Sequence, residues 1–339
     1  MGIMRKATAY DVAERAGLSV GTVSRFLTGR GYVSEQAQAR ITAAIDELGF
    51  VRNSAASSLR TRKSGLIGFV LSDLRNPFTA QVATAIQEAA RADGLAVFLS
   101  NTMGDPARGV EALEQLRSHG VDGVIVTPPG DKEFVAALAD LRQSGVPVVS
   151  LGLRTRPLRF DLVTVDTEAG ARDCVEHLIS LGHRTIAHLG NDRRSGRFRG
   201  YRAALESAGL PVDKALVQTG VDDQQSAWQA AETLLIADPR PTAIFCYNDT
   251  TAFAAMQKAN QMGLSVPGDL SVAGFDDVDH AEHWVPPLTT VAQPTEELGR
   301  LAVSEVVRQI KDGIAPPAVH TLTAELVVRS STAPPQHTS

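Results

Sequence analysis

Residues 10–25 read Tyr10-Asp11-Val12-Ala13-Glu14-Arg15-Ala16-Gly17-Leu18-Ser19-Val20-Gly21-Thr22-Val23-Ser24-Arg25. The order of caps, apolar residues and glycine in this stretch decides the N-terminal fold. Thr8, just ahead of it, is placed to cap a helix, and Asp11 is placed to reach back as in a capping box. Val12, Ala13 and Ala16 form an apolar stripe, and Gly17 supplies the left-handed conformation that ends a helix. Ser19 then caps a second helix over 20–27, with Val23, Phe26 and Leu27 facing inward at helical spacing. Two short helices about a glycine turn give helix-turn-helix geometry. Ser34 opens a third helix, whose Ile41, Ala44, Ile45 and Leu48 share a face, and Gly49 closes it.

Charge separates this head from the rest. Residues 1–63 hold 10 Lys and Arg against 5 Asp and Glu, a balance of +5, whereas the chain as a whole carries −5. A basic head on an acidic body points to nucleic acid approaching the head alone. The second helix is the expected reader. Val20 and Gly21 are expected to face outward near its N-terminus, with Arg25 one turn on. A guanidinium there can fork onto guanine O6 and N7, and Val20 can offer methyl groups to thymine. Ser19, Thr22 and Ser24 are short hydroxyls suited to phosphate or to capping. On the helices alone, a three-helix bundle that touches protein stays open.

Beyond Leu66 the periodicity changes to short apolar runs alternating with amphipathic helices. Strands are expected over 66–71, 95–99, 121–126 and 146–151, then over 185–189, 243–246 and 271–273. Helices are expected over 80–92 and 169–181. The rhythm restarts after Asp166, so the body is expected to be two α/β lobes of doubly wound parallel sheet, with a ligand cleft at the strand ends. Asp73, Asn76 and Phe78 follow the first strand; Arg197, Asn248 and Asp276 follow strands of the second lobe. These six are the candidate effector contacts, because Asn, Asp and Arg bond hydroxyls and Phe covers a ring face. Each of the five polar ones taken alone is as readily a cap or a surface residue.

The 339 residues suit one small and one large domain. No run approaches about 18 apolar residues, so no membrane span is expected. The N-terminus lacks a signal peptide's apolar region, and Lys6 breaks a myristoylation motif. A cytoplasmic, nucleoid-associated protein is the expectation. Cys174 and Cys246 lie in no ligand spacing and are expected to be small buried hydrophobes. His280 and His283 sit in an acidic loop, but spacing of that kind is common, and neither a metal nor any other cofactor is expected. No nucleophile-and-base arrangement, GxSxG, HExxH or phosphate loop is visible, so no catalytic residue is assigned and no enzyme is expected.

The run 10–25, with Val33-Ser34, Ala44-Ile45-Asp46-Glu47-Leu48-Gly49-Phe50, Asn53 and Val328-Arg329-Ser330-Ser331-Thr332, resembles the lactose-repressor/galactose-repressor family of bacterial transcription regulators over essentially the whole chain. The resemblance implies a helix-turn-helix domain over 1–52 and a hinge over 53–64. It implies a periplasmic-binding-protein-like effector and dimerisation core over 65–330, with lobe crossovers near 165 and 293. Residues 331–339, rich in Ser, Thr and Pro, are expected to be a disordered tail. Positions 20, 21 and 25 would carry operator choice, and Leu59 would wedge into the minor groove. Arg52 stands where a proline is usual and Ser57 where an arginine is common. The full expected DNA-contacting set is Thr8, Ser19, Val20, Gly21, Thr22, Ser24, Arg25, Asn53 and Leu59. Arg197, Asn248 and Asp276 match effector contacts of the family. Asp222-Asp223 replaces an aromatic platform found in several relatives, which tilts the expected effector towards a carbohydrate or related polyhydroxylated metabolite. Trp228 and Trp284 remain as other sources of aromatic surface. The partners implied are an operator in double-stranded DNA, read by a homodimer or a tetramer, and the small-molecule effector. A sugar-binding sensor or transport-type binding protein without an operator role is the alternative.

Overall fold

A computed structural model describes residues 7–28, 31–50, 63–127, 131–152, 155, 157–221 and 223–336. The expected hinge, including Asn53 and Leu59, lies outside the described residues. The chain divides into two compact units, between Ser64 and Gly65.

The first unit is built on α1 (Ala9–Ala16), α2 (Val20–Thr28) and α3 (Glu35–Leu48). Local chemistry sets its boundaries. The Thr8 side chain and the Asp11 carboxylate form a reciprocal capping box, and Gly17 ends α1 at φ 63°. Ser34 caps α3 by accepting from Ala37 N, and Gly49 closes it at φ 56°. Val12, Val23 and Ile41 are wholly buried and join Ala13, Ala16, Val33 and Ala44 in one core. Arg40 Nη2 donates to Gly17 O at 3.3 Å, tying the turn to α3.

The second unit contains two parallel sheets. The first lobe has β1 (Leu66–Leu71), β2 (Ala96–Asn101), β3 (Gly123–Val126), β4 (Val148–Leu151), β5 (Asp161–Val165) and β11 (Val319–Leu322), in the order β11-β5-β4-β3-β1-β2. Its helices are α4 (Pro77–Ala92), α5 (Pro106–Ser118), α6 (Lys132–Gln143) and α11 (Thr295–Asp312). The second lobe has β6 (Ile186–Leu189), β7 (Val217–Gln218), β8 (Ala243–Cys246) and β9 (Ser271–Ala273), in the order β7-β6-β8-β9. Its helices are α7 (Thr167–Ser180), α8 (Gly196–Ser207), α9 (Gln224–Leu235) and α10 (Asp249–Gln261). A short antiparallel pair, β10 (Thr290–Ala292) with β12 (Glu325–Val327), completes it.

The chain passes between lobes at β5–α7, at β10–α11 and at β11–β12. In each sheet the strand order reverses beside the lobe's first strand, β1 or β6. Open α/β sheets bind ligands at such reversals, beyond the carboxyl ends of the strands. Two glycines bring α8 close to α7. A Cβ at Gly196 would lie 2.3 Å from Thr167 Oγ1, and one at Gly200 would lie 2.2 Å from Glu168 O. This close approach carries Arg197 to the crossover.

Strand β5 was not expected, because Asp161 interrupts its apolar pattern. Its carboxylate is buried and accepts from Gln309 Nε2 (2.6 Å), Ala318 N (2.6 Å) and Arg308 Nη2 (3.2 Å). The expected disordered tail is also corrected. Ser331 is fully buried, accepts from Thr289 N at 2.8 Å and donates to Val272 O at 2.6 Å. Ala333 O and His183 Nε2 lie 2.9 Å apart, so the segment to Gln336 follows the second lobe as ordered chain. Hydroxyls and backbone replace side-chain hydrophobicity there, which composition alone conceals. Among the described residues no helix is long and apolar enough to cross a membrane.

Candidate DNA-reading helix and effector cleft

On α2, Ser19 Oγ accepts from Thr22 N at 3.1 Å and shares a hydrogen bond with Thr22 Oγ1 at 2.8 Å. Both hydroxyls therefore serve the helix start in the free head. Thr8 is likewise engaged, donating to Asp11 Oδ2 at 2.7 Å. Ser24 is half-buried. Arg25 is exposed and folds back along its own helix, with Nε 3.3 Å from Gly21 O. Val20, expected to face outward, is half-buried and packs against the head's core, so less of it is available to DNA. Gly21 is exposed, and a Cβ there would meet only Ser19 Oγ, at 3.7 Å. Nothing inside the head requires a glycine at that point.

In the second unit, a cavity of about 200 Å³ opens beyond the carboxyl ends of β3, β4 and β5. The first lobe supplies Phe78, Thr79 and Val82 from α4, Thr127 after β3, Leu151 and Gly152 from β4, and Val163 to Val165 from β5. Thr167, Arg197, Gln293 and Leu298 complete it from the elements that cross between the lobes or face them. The lining thus mixes apolar side chains with four threonine hydroxyls, a guanidinium and an amide.

The polar wall is built around Asp276. This residue is 3% exposed and holds a positive φ of 111°, and Asp277 beside it has φ 54°. Asp276 Oδ1 accepts from Arg197 Nη2 at 2.9 Å and from Gln293 Nε2 at 2.7 Å. The Arg197 guanidinium also lies 4.3 Å from the centre of the Phe275 ring. Arg197 Nε is buried and has no hydrogen-bond partner among the described residues. Burial raises the Asp276 carboxyl to about 6 while Arg197 and Gln293 pull it back, so it is largely ionised at neutral pH.

Of the six expected effector residues, Phe78 and Arg197 line the cavity, and Asp276 lies directly behind Arg197. Asp73, Asn76 and Asn248 are engaged otherwise. Asp73 is bound by Arg75 through both carboxylate oxygens, which lowers its pKa. Asn76 caps α4 by accepting from Phe78 N at 3.0 Å, and Asn248 caps α10 by accepting from Thr251 N at 2.9 Å. Sequence reasoning missed Gln293, Thr127 and Thr167. Gln293 follows β10 at a lobe crossover, so the strand-end rule that found Arg197 could have found it.

The lobes also meet at one direct polar contact away from the cavity. Gln81 Nε2 on α4 donates to Asp279 Oδ1 of the second lobe at 2.7 Å.

Residues 8–53 match the model for bacterial regulatory proteins of the lacI family, and residues 175–332 match the model for a periplasmic binding protein-like domain. The HTH-type transcriptional regulator DegA of Bacillus subtilis is 34% identical over 334 residues, spanning 97% of this chain and 99% of the relative. This chain belongs to the lactose-repressor family. Two solved structures extend the likeness to three dimensions. A Lac repressor dimer bound to operator and the anti-inducer ONPF is 29% identical, with a TM-score of 0.85 over 97% of this chain and 100% of that one. The regulator CelR in complex with cellobiose is 31% identical, with a TM-score of 0.71 over 96% of this chain and 100% of that one. As a member of this family, the protein is a transcriptional repressor with a helix-turn-helix DNA-binding domain and not an enzyme.

Cys174 and Cys246 are both buried free thiols, and burial raises the pKa of each. Among the described residues no cluster of three or more His, Cys, Asp or Glu is placed to hold a metal ion.

Proposed function

We propose that this repressor binds a pseudo-palindromic operator as a homodimer and that a small carbohydrate or related polyhydroxylated metabolite in the inter-lobe cavity controls its affinity. The observation that carries the proposal is a cavity of about 200 Å³ lined by Phe78, Arg197 and Gln293, with both polar side chains held by the buried Asp276. An ion-paired arginine and an amide suit vicinal hydroxyls, and the Phe78 ring suits a ring face. The volume lies below the roughly 300–1,000 Å³ usual for drug-sized ligands, which favours a single small ring.

Two heads on a two-fold dimer match a two-fold site, and a tetramer would present two such pairs. The Lac repressor dimer bound to operator supports this arrangement by similarity. Arg25 reads a base edge in the major groove, and Ser19, Thr22, Ser24, Thr8 and Asn53 position the head on the backbone. Gly21 lets the backbone of α2 approach DNA, and the helix tolerates it at a cost of about 0.5–1 kcal/mol relative to alanine. Leu59 acts as the minor-groove wedge. Asp73, Asn76 and Asn248 retain side-chain amide or carboxylate atoms that join the effector shell once the lobes close. The effector shifts the lobes between two states only to the extent that it binds one of them better.

The test is thermal unfolding against a panel of monosaccharides, disaccharides, sugar phosphates, polyols, nucleosides and purines. A ligand at about 100 times its dissociation constant stabilises the fold by roughly 2.7 kcal/mol, a visible shift. A shift with a single-ring sugar or polyol, lost in Arg197→Ala, supports the reading; a shift confined to purines or nucleosides overturns the carbohydrate class. Removing residues 1–63 separates this account from a plain sugar sensor: the truncated protein keeps its ligand and loses specific DNA binding.

A further inference from the structure

Asp249 is the first residue of α10 and is fully buried, yet it does not cap its own helix, because Asn248 does so. Its carboxyl reaches across to the loop that carries Asp276. Oδ2 accepts from Val278 N at 2.9 Å, and Oδ1 accepts from Thr290 Oγ1 at 2.5 Å. Its backbone N donates to Phe275 O at 2.8 Å. The loop closes tightly on it, since a Cβ on Gly274 would fall 2.3 Å from Asp249 Oδ1. Between Phe275 and Val278 stand two of the three non-glycine residues of positive φ among the described residues, Asp276 and Asp277. Such conformations cost free energy and persist only where the surroundings hold them. Bonds on both sides of the strained pair do this.

We propose that Asp249 is a positioning residue for effector binding, fixing the Asp276 loop through Val278 and Thr290 without touching the effector. The inference rests on the reading above, that Arg197 and Asp276 form the effector wall.

Other acidic groups surround Asp249. Asp276 and Asp277 face it from the loop, Asp277 being paired with Arg329 at 2.7 Å, and the thiols of Cys174 and Cys246 face it from α7 and β8. Burial first, and then the neighbouring Asp276, raise its carboxyl to about 8. At neutral pH one of the two acids is therefore charged, Asp276 beside Arg197, while Asp249 is largely neutral. Oδ2 accepts from Val278 N and Oδ1 accepts from the Thr290 hydroxyl. Asparagine keeps an oxygen for Val278 N and offers an amide that can pair with the Thr290 hydroxyl once that hydroxyl turns to accept, and alanine presents neither bond. Ionisation above about pH 8 would place a second negative charge behind the loop.

The experiment is amide exchange of residues 275–279 in the full chain from pH 6.5 to 9, corrected for intrinsic rates, in the parent, Asp249→Asn and Asp249→Ala. The amides of β9 serve as the control. The proposal expects loop exchange in the parent to quicken about tenfold or more between pH 7 and 9. It expects Asp249→Asn to stay protected throughout, and Asp249→Ala to exchange fast at every pH while β9 stays protected. Loop protection in the parent and Asp249→Asn that follows the same course over this range would overturn it, whether or not Asp249→Ala folds. Loosening spread equally through β9 would also overturn it. Calorimetric titration with D-glucose, D-ribose and D-galactose forms a second arm. A sugar that binds the parent should bind Asp249→Asn within about threefold and Asp249→Ala at least tenfold more weakly, and equal binding by Asp249→Ala counts against the proposal. If none of the three binds the parent, that counts against the effector reading alone, and loop exchange still decides whether Asp249 positions the loop.

Discussion

Arg197 Nη2 lies 2.9 Å from Asp276 Oδ1, joining the helix that enters the second lobe's cleft face to a loop beyond β9, and its guanidinium stacks on Phe275. The pair is almost excluded from water on the Asp276 side, so removing one partner leaves a buried carboxylate without its counter-charge. Its value depends on which protonation state the carboxyl adopts.

Arg197→Ala should therefore destabilise the core by about 1–3 kcal/mol at pH 7.5, the cost of an unsatisfied buried polar group. The loss should shrink near pH 5, where Asp276, with its pKa raised to about 6, is largely protonated in the parent as well. Urea unfolding of both proteins at the two pH values checks this, and equal losses at both would mean the ion pair contributes little.

Asp249 and Asp276 both have folded pKa values raised from 3.8, to about 8 and about 6. The folded protein keeps protons that the unfolded chain has released, so the stability these two groups contribute is full below about pH 4. It is lost as pH rises through 6 and then 8. Asp249→Asn should remove the upper part of that fall. The difference in stability between variant and parent, followed from pH 4.5 to 9, should grow in favour of the variant up to about pH 8 and then level off. A difference that stays constant would contradict the assignment.

Gly21→Ala should stabilise the head by about 0.5–1 kcal/mol, because a Cβ there makes only an ordinary contact with Ser19 Oγ and alanine is the better helix former. The same change should weaken specific DNA binding. Thermal unfolding of residues 1–63 as part of the full chain, with parallel anisotropy titrations, separates the two effects. Weakened binding without stabilisation would show a folding cost in place of a lost approach to DNA.

Much of the architecture was legible because its signals are local. Thr8, Gly17, Ser34 and Gly49 act on neighbours within four residues, so caps and turns could be placed from sequence. The strands at 66–71 and 243–246 are unbroken apolar runs, and the structure places them at those residues. What escaped depends on distant partners. Strand β5 carries Asp161, whose hydrogen-bond partners lie in α11 and just before β11, at least 147 residues away. Val20 lies at an outward position by helical spacing alone, yet it is half-buried and packs against the core that α1, α2 and α3 share. Asn76 and Asn248 show the ambiguity of the strand-end rule: each sits past a strand and each caps the next helix.

Ser331→Ala should cost about 1–3 kcal/mol, since it leaves the buried Thr289 N without its acceptor. A substitution within a disordered tail would cost nothing, so guanidinium unfolding of this variant tests the corrected view of the C-terminus directly.

The central claim is that one chain couples a symmetric DNA site to a ligand in the cleft. The most direct measurement is to select tight-binding sequences from random duplex DNA with the full-length protein, then follow binding of the winning duplex by anisotropy as sugars and polyols are added at constant salt. The expected result is a pseudo-palindromic consensus and at least one small hydroxylated ligand that shifts the affinity about tenfold or more, with the shift abolished in Arg197→Ala. A selection without two-fold symmetry, or a shift that persists in Arg197→Ala, would contradict it.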